Sequence, residues 1–166
     1  MSHVQELLLE WYARYGREHL PWRQTRDPYR VLVSECMLQQ TQVDRVLPKY
    51  ETFVARFPDF SSLAEASTAD VLRFWQGLGY NSRAVRLKQL AQAVVERFDG
   101  RMPQEEGALR SLPGVGPYTV AAIRAFAFNL DDAAIDTNVR RVVHRVLHGL
   151  EHPAAVSAEA LDADAP

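Results

Sequence analysis

The chain has 166 residues, of which 47% are hydrophobic and 24% are charged. This balance is typical of one globular domain, or two small lobes, with a hydrophobic core. No apolar run is long enough to cross a bilayer and no secretion signal opens the chain, so we expect a soluble intracellular protein. The formal net charge of −2 does not indicate a nucleic-acid partner, although basic clusters such as Arg83, Arg86 and Lys88 are compatible with a local basic face.

Hydrophobic residues recur at helical spacing along most of the chain, which predicts an all-α fold. We expect an N-terminal helix at residues 4–15 and further helices at residues 87–98 and 139–147. Gly100 and Gly149 follow the two later patterns, and glycine is a common signal for the end of a helix. No segment shows the alternation that predicts a half-buried strand.

The stretch HLPWRQTRDPYR at residues 19–30 contains two prolines and is a poor helix former. We predict an extended link there, leading into the next helix. Trp22 and Arg23 lie in this link, and composition alone favours a packed tryptophan and a solvated arginine.

The stretch LPGVGPYTV at residues 112–120 breaks the helical pattern between two predicted helices. Gly114 and Gly116 permit a positive φ, and Pro117 suits the first turn of the second helix. The free amides at such a helix start favour an anion such as phosphate. An ordinary corner between two helices explains the same pattern equally well.

The segment VLVSECMLQQTQV at residues 31–43 places Glu35 on a mostly apolar helix face. Burial raises the pKa of a carboxyl group, which lets a glutamate act as a general acid near neutral pH. A glutamate that reaches an arginine at the rim is the alternative. Cys36, the single cysteine, is expected to be a small buried hydrophobic residue. The uncharged hydrogen-bonding side chains that follow suit contacts to base edges: Gln39, Gln40, Thr41 and Gln42.

The run IDTNVRRVVHRV at residues 135–146 places Asp136 just before an apolar helical pattern. Helix capping is the commonest role for such an aspartate. Asp136 also follows the glycine-rich break closely enough to return to the same cleft as Glu35. One protonated and one ionised carboxyl group suit cleavage of a glycosidic bond through an oxocarbenium-like transition state. The histidines at helical spacing favour surface positions over a zinc site: His144, His148 and His152.

A series of short motifs resembles the helix-hairpin-helix DNA glycosylase superfamily: LPWR, DPY, SECMLQQTQV, WQGLGY, LPGVGPYT and the D-x-N-V-x-R run from Asp136. The match is closest to adenine DNA glycosylases of the MutY type and covers about residues 8–147. It implies an all-helical glycosylase fold with the active site in a cleft between two lobes. It also implies hydrolysis of the N-glycosidic bond of adenine paired with 8-oxoguanine or guanine in double-stranded DNA. The target base must leave the duplex, because that bond is inaccessible in a stacked helix.

The resemblance assigns the two carboxyl groups to catalysis. Glu35 matches the glutamate that protonates adenine, and Asp136 matches the aspartate that stabilises the developing sugar cation. Gln40 matches the side chain inserted into the duplex, and Tyr80 matches a tyrosine wedged beside the oxidised guanine. The other positions that match DNA-binding or base-pocket residues are Trp22, Arg23, Gln39, Thr41, Gly114, Val115, Gly116, Tyr118 and Asn138.

Tyr118 separates this chain from one branch of the superfamily. Endonuclease III-like enzymes have a lysine at the corresponding position, which attacks the sugar and supports strand cleavage. Tyrosine forms no Schiff base, so the resemblance implies a monofunctional glycosylase. A thymine–guanine mismatch glycosylase shares the tyrosine and the LPWR start and is the second hypothesis. A DNA-binding remnant without catalysis is the third.

The family's 4Fe–4S cluster is held by four cysteines, which these residues lack, so we expect no cofactor and no metal here and a cluster only in a C-terminal extension. We predict an incomplete glycosylase in three parts. Residues 1–20 form a helix of a second lobe, residues 21–150 form the core with the hairpin at 112–120, and residues 151–166 form a disordered or truncated acidic tail. The resemblance further implies a monomer in the cytoplasm, at the nucleoid of a bacterium.

Overall fold

The computed structural model describes residues 3–149. Within this range the regular elements are α-helices and one short 3₁₀ helix, Pro21–Arg23, which confirms the all-α prediction. The α-helices, numbered in chain order, are α1 (His3–Tyr15), α2 (Pro28–Leu38), α3 (Val43–Arg56), α4 (Phe60–Glu65), α5 (Thr68–Trp75), α6 (Ser82–Phe98), α7 (Glu106–Arg110), α8 (Pro117–Phe126) and α9 (Thr137–His148).

The predicted extended link at residues 19–30 is only partly correct. Pro21–Arg23 forms the 3₁₀ helix, and α2 already begins at Pro28. Proline suits this first helical position because its missing N–H needs no partner there. The Asp27 side chain accepts a hydrogen bond from the Tyr29 amide at 2.9 Å, which caps the new helix.

α2 lies at the centre of the fold, where it packs against α3, α6 and α8. Its side chains Leu32, Val33 and Met37 are fully buried. Each such side chain contributes about 1.5–3 kcal/mol relative to leaving it exposed. The buried apolar face therefore fixes α2 against the core. The side chains on the last turn of α2 are held in position by the same packing.

Edge-to-face aromatic contacts join α3 to α5 and to the residues between them. The Phe53 ring lies 5.0 Å from the Phe57 ring and 5.9 Å from the Trp75 ring, measured between centroids. Phe57 in turn contacts Phe74 at 5.6 Å. Such pairs add about 0.5–1.5 kcal/mol beyond the buried area. They fix the end of α5, which leads into the turn that carries Tyr80.

Two helices expose apolar side chains instead of burying them. α1 has no buried residue, and its exposed large side chains form what we call the α1 face: Val4, Leu7, Leu8, Leu9, Trp11, Tyr12 and Tyr15. The corresponding α9 face consists of Val139, Val142, Val146 and Leu147. Contiguous apolar surface of this kind marks a site of interaction rather than an ordinary solvated face.

The prediction that the histidines of α9 lie on the surface is wrong for His144, which is 1% exposed. Because α9 turns Val139, Val142 and Val146 outward, the side of the helix that carries His144 faces the protein. The His148 side chain and His152 lie outside the described residues. Within residues 3–149, no helix combines the length and the apolar character that crossing a membrane requires.

Candidate active site

A cleft of about 1380 Å³ opens between the N-terminal segment, the end of α2, the start of α8 and the start of α9. Among the residues singled out from the sequence, it brings together Trp22, Arg23, Glu35, Gln39, Gln40, Thr41, Tyr118, Asp136 and Asn138. Glu35 and Asp136, the two candidate catalytic residues, therefore line the same cleft although they lie far apart in the sequence. Tyr80 and the hairpin residues Gly114, Val115 and Gly116 do not line it.

Glu35 lies on the last turns of α2, on the side of the helix that faces the cleft rather than the core. Burial raises the pKa of its carboxyl group, and the negative charge of Asp136 raises it further. The Tyr118 hydroxyl donates a hydrogen bond to the carboxylate, which favours the ionised form and lowers the pKa in part. Among residues 3–149 the partner of Glu35 is thus a tyrosine, and not the rim arginine that the sequence left open.

Tyr118 lies on the first turn of α8, immediately after Pro117. Burial and the adjacent Glu35 carboxyl group both raise the pKa of its phenol, so the hydroxyl stays protonated and remains a hydrogen-bond donor. The sequence indicated Tyr118 as a base-pocket position that is lysine in endonuclease III-like enzymes. The structure adds that its hydroxyl directly contacts the candidate general acid.

Asp136 is the N-cap of α9, as the sequence predicted. Its carboxylate accepts hydrogen bonds from the amides of Asn138 at 2.9 Å and Val139 at 2.7 Å. The Asn138 side chain donates a further bond at 3.1 Å. The positive end of the α9 dipole also stabilises a negative charge at this position. Capping and lining the cleft are therefore compatible roles for one aspartate.

Trp22 and Arg23 occupy one wall of the cleft in different ways. Trp22 is 8% exposed and packs edge-on against Tyr50, with ring centroids 5.2 Å apart. Arg23 is exposed and donates a hydrogen bond to the Tyr12 hydroxyl at 3.4 Å. The packed tryptophan and solvated arginine expected from composition are both correct, and both residues still border the cleft.

Gln39, Gln40 and Thr41 form a turn at the rim, because α2 ends at Leu38. The Gln40 side chain is exposed and its backbone is left-handed, with φ at 56°. Thr41 accepts a hydrogen bond from Arg83 at 3.0 Å. Its hydroxyl is therefore already engaged inside the protein, whereas Gln40 projects freely toward solvent.

Tyr80 lies in the turn between α5 and α6 and is 63% exposed. Its φ is 47°, and the nearby glycines Gly77 and Gly79 also have positive φ. The Tyr80 ring lies 5.5 Å from the guanidinium of Arg83, the group that also contacts the turn at Gln39 and Thr41. Tyr80 and Gln40 are thus neighbours across a shared arginine, on the surface beside the cleft.

The hairpin between α7 and α8 stands apart from the cleft. Gly114 adopts a positive φ, at 75°, which the sequence permits at both glycines of the hairpin. Gly116 instead has a φ of −96° and serves as the N-cap of α8, a position that takes an extended conformation. Added side-chain atoms at Gly116 would meet open space, so no other side chain covers the start of α8 at this residue.

Several residues in or near the site could not be assigned to it from the sequence. A side chain added at Gly114 would meet the aliphatic carbons of Arg86 at 3.5 Å, so this arginine lies beside the hairpin. Tyr12 reaches the cleft from α1, and Asn129 reaches it from the segment before α9. The sequence placed Arg86 only in a basic cluster, and the proximity of the other two depends on packing between distant helices.

Residues 33–161 match the family described as HhH-GPD superfamily base excision DNA repair protein. The chain is 46% identical over 158 residues to the adenine DNA glycosylase of Mycobacterium tuberculosis, covering 95% of this chain and 52% of that protein. It is 37% identical over 143 residues to the thymine/uracil-DNA glycosylase of Pyrobaculum aerophilum, covering 86% of this chain and 62% of that protein.

The structure of a thermostable thymine-DNA glycosylase is also similar, with a TM-score of 0.81 and 32% sequence identity. That likeness covers 98% of this chain and 76% of the other. The chain spans about half the length of the curated relatives it matches, for example 40%, 48% and 52%. On its sequence and its fold alike, the chain belongs to the HhH-GPD superfamily of base excision DNA repair proteins.

Proposed function

We propose that the chain is the catalytic part of a monofunctional DNA glycosylase that removes adenine paired with 8-oxoguanine or guanine. The observation that carries the proposal is the cleft shared by Glu35, with its raised pKa, and the helix-capping Asp136. Relatives named adenine DNA glycosylase, such as that of Mycobacterium tuberculosis, support adenine as the base.

The two carboxyl groups divide the chemistry between them. Glu35, whose pKa is raised by burial, gives its proton to a ring nitrogen of adenine, which makes the base a better leaving group. The bond between sugar and base then breaks, and its electron pair leaves with adenine. The carboxylate of Asp136 stabilises the positive charge that develops on the sugar. Water adds to the sugar carbon and returns a proton to Glu35, leaving an abasic site.

The cleft supports this proposal by its size and its lining. Its volume of about 1380 Å³ exceeds the range of about 300–1,000 Å³ typical of small-molecule pockets, so an extruded nucleotide has room. Trp22 offers an aromatic edge, while Arg23 and Asn138 offer hydrogen-bond donors. We assign these three residues to the base pocket and the sugar-phosphate that enters with the base.

The surface beside the cleft supplies the proposed contacts to the duplex. Gln40 and Tyr80 are exposed side chains on neighbouring turns, and we assign them to the gap left by the extruded base and to the base opposite it. The hairpin amides at Gly114, Val115 and Gly116 are assigned to a phosphate, next to Arg86. Gln39 and Thr41 flank Gln40, and the backbone of their turn shapes the same surface.

Tyr118 supports base removal without strand cleavage. Its hydroxyl is protonated and donates a hydrogen bond to Glu35, and the side chain has no amine with which to form a Schiff base with the sugar. The abasic product should therefore remain an intact strand until alkali or another enzyme cuts it.

Thymine opposite guanine is a second candidate substrate. The Pyrobaculum relative is named thymine/uracil-DNA glycosylase, and the similar solved structure is that of a thymine-DNA glycosylase. The same cleft and the same two carboxyl groups are also compatible with removal of thymine. The adenine proposal stands first because the adenine-specific relative is the more similar in sequence, at 46% against 37% identity.

We also propose that the complete protein is a monomer that acts on cytoplasmic DNA and covers the α1 face and the α9 face with further chain of its own. The longer relatives supply the reason, since this chain spans about half of their length. A 4Fe–4S cluster does not fit the described residues, because Cys36 is the only cysteine and burial raises its pKa to about 12. Any such cluster belongs to that further chain.

A single-turnover assay with enzyme in excess tests the function. Three duplexes are compared, with adenine opposite 8-oxoguanine, adenine opposite guanine and thymine opposite guanine, and alkali reveals abasic sites. We expect base release from the adenine duplexes and no strand nicking before alkali. Faster release from the thymine duplex would make the second candidate correct. If this chain and the complete protein bind the duplexes but release no base from any of them, the third hypothesis, a DNA-binding remnant without catalysis, is correct.

A further inference from the structure

Arg83 lies on the first turn of α6, and its side chain donates hydrogen bonds to several backbone carbonyls. The sequence indicated it only as part of a basic cluster. One terminal nitrogen of its guanidinium donates to the carbonyls of Cys36 at 2.9 Å, Met37 at 3.0 Å and Gln39. The other donates to the carbonyls of Leu78 and Gly79 and to the Thr41 hydroxyl, at 3.0, 3.2 and 3.0 Å. One side chain thus joins the end of α2 to the turn between α5 and α6.

The contacts with α2 end that helix in a defined way. The last carbonyls of a helix have no partner within it, and a cation there satisfies them and complements the helix dipole. Arg83 does so at Cys36 and Met37, so α2 stops at Leu38 and the chain turns immediately. The left-handed residue in that turn is Gln40, with φ at 56°.

The contacts with the second turn work in the same manner. The Leu78 and Gly79 carbonyls point at Arg83, and the Trp75 indole also donates to the Gly79 carbonyl at 3.1 Å. The Arg83 guanidinium lies 5.5 Å from the ring centroids of both Trp75 and Tyr80. Tyr80 has a φ of 47°, so this turn also holds a left-handed residue that is not glycine.

Two strained residues beside one arginine call for a common explanation. A residue other than glycine in a sparsely populated backbone region costs about 1–3 kcal/mol and persists only where its surroundings over-determine it. The planar guanidinium, with donors in fixed directions, can hold both turns at once, whereas an ammonium group is a single point charge. Gln40 and Tyr80 are the exposed side chains that result.

We propose that Arg83 is a positioning residue that holds Gln40 and Tyr80 in the conformations from which both enter the DNA duplex. The inference rests on the proposed function for its link to DNA, while the hold on the two turns is a property of the free protein. Arg83 needs no contact with the substrate for this role. It acts by fixing the two turns relative to α2, the helix that also carries Glu35.

The test compares Arg83→Met and Arg83→Lys with Lys88→Met in the complete protein. Lys88 is the matched control because it is a cation on α6 that also donates to a carbonyl, that of Ala64 at 3.1 Å, away from the cleft. Amide hydrogen exchange is measured without DNA. We expect faster exchange in the peptides at residues 38–42 and 77–81 for both Arg83 variants, and unchanged exchange there for Lys88→Met.

Excision from the adenine·8-oxoguanine duplex is then measured under single turnover, with 2-aminopurine beside the target adenine to report unstacking. We expect Arg83→Met to slow both unstacking and excision by about 10²-fold, the loss that misplacement of about 1 Å produces. Arg83→Lys keeps the charge and should recover little of that rate. If Arg83→Lys matched the wild type, Arg83 would supply charge alone and the proposal would be wrong.

The two readouts separate this inference from the proposed function. Absence of excision by the wild-type protein on every duplex would refute the function and the link of Arg83 to DNA, while the exchange data would still decide whether Arg83 holds the turns. Unchanged exchange at residues 38–42 and 77–81 in both Arg83 variants would refute the positioning role even in an active enzyme. If Arg83→Met does not fold, Arg83→Lys carries the comparison.

Discussion

The protonation of Glu35 depends on burial and on two neighbouring side chains, Tyr118 and Asp136. A glutamate in water is ionised at neutral pH, whereas burial and the charge of Asp136 raise the pKa of Glu35. The hydrogen bond from Tyr118 opposes this shift. The balance between burial and that hydrogen bond sets the pH up to which Glu35 can still give a proton to a base.

Glu35→Gln keeps the size and removes the acidic proton. We expect single-turnover excision of adenine to fall by about 10²–10⁴-fold, the usual contribution of a general acid, with affinity for the duplex retained. Glu51→Gln, at an exposed glutamate on α3, is the control and should match the wild type. Full activity of Glu35→Gln would remove this residue from the mechanism.

Tyr118→Phe tests the hydrogen bond through the pH profile. The protonated fraction of Glu35 falls as pH rises through its raised pKa, so the excision rate has a descending limb on the alkaline side. Losing the bond that lowers the pKa of Glu35 should move that limb to higher pH. Tyr12→Phe removes a hydroxyl from another wall of the cleft and should leave the limb in place. A limb that moves to lower pH in Tyr118→Phe would contradict the assignment.

At the scale of elements, the ends of helices carry the site. Glu35 lies near the end of α2, Tyr118 in the first turn of α8 and Asp136 at the start of α9. Helix termini expose backbone groups that need partners and create a local field. Side chains placed there can therefore stabilise the helix and face an opening at the same time.

Asp136 allows these two roles to be separated. Asparagine caps a helix about as well as aspartate but carries no charge. We expect Asp136→Asn to keep the wild-type midpoint of urea unfolding and to lose excision. Asp136→Ala should lose excision and also about 1 kcal/mol of stability through the missing cap. Excision that survives in Asp136→Asn would mean that capping is the whole role of Asp136.

Several element boundaries were predicted well from local sequence. Gly149 ends α9, Pro117 opens α8, and the helix predicted at residues 4–15 is His3–Tyr15. These features depend on neighbours within a turn or two, so the sequence carries them directly. The helix predicted at residues 87–98 begins earlier, at Ser82, and the sequence left the φ of Gly116 open because glycine takes a positive or an extended φ.

At the level of the whole molecule, the α1 face and the α9 face stand out because they hold most of the exposed large apolar side chains among the described residues. Exposed apolar patches gain free energy when a partner covers them. The proposal that further chain of the complete protein covers these two faces is independent of the chemistry in the cleft. It can be tested by measuring the free energy of unfolding alone.

Leu8→Ser and Val142→Ser, one on each face, supply that test. In the 166-residue chain both residues are exposed, at 63% and 56%, so each substitution should change the free energy of unfolding by less than about 0.5 kcal/mol. In the complete protein, burial of the same residues should make each cost about 1.5–3 kcal/mol. Urea unfolding of both lengths measures the difference, and equal effects in the two would show that the faces remain uncovered.

Residue types and their local spacing are enough to predict the helices, many of their ends, the two candidate carboxyl groups and a tyrosine in place of the lysine of endonuclease III-like enzymes. The family motifs lie in the same short segments. The contact of Tyr118 with Glu35, the burial of His144 and the link that Arg83 makes between two turns are visible only in the folded chain. Burial, the pKa of a carboxyl group and a shared guanidinium all arise from residues far apart in the chain, which packing alone brings together.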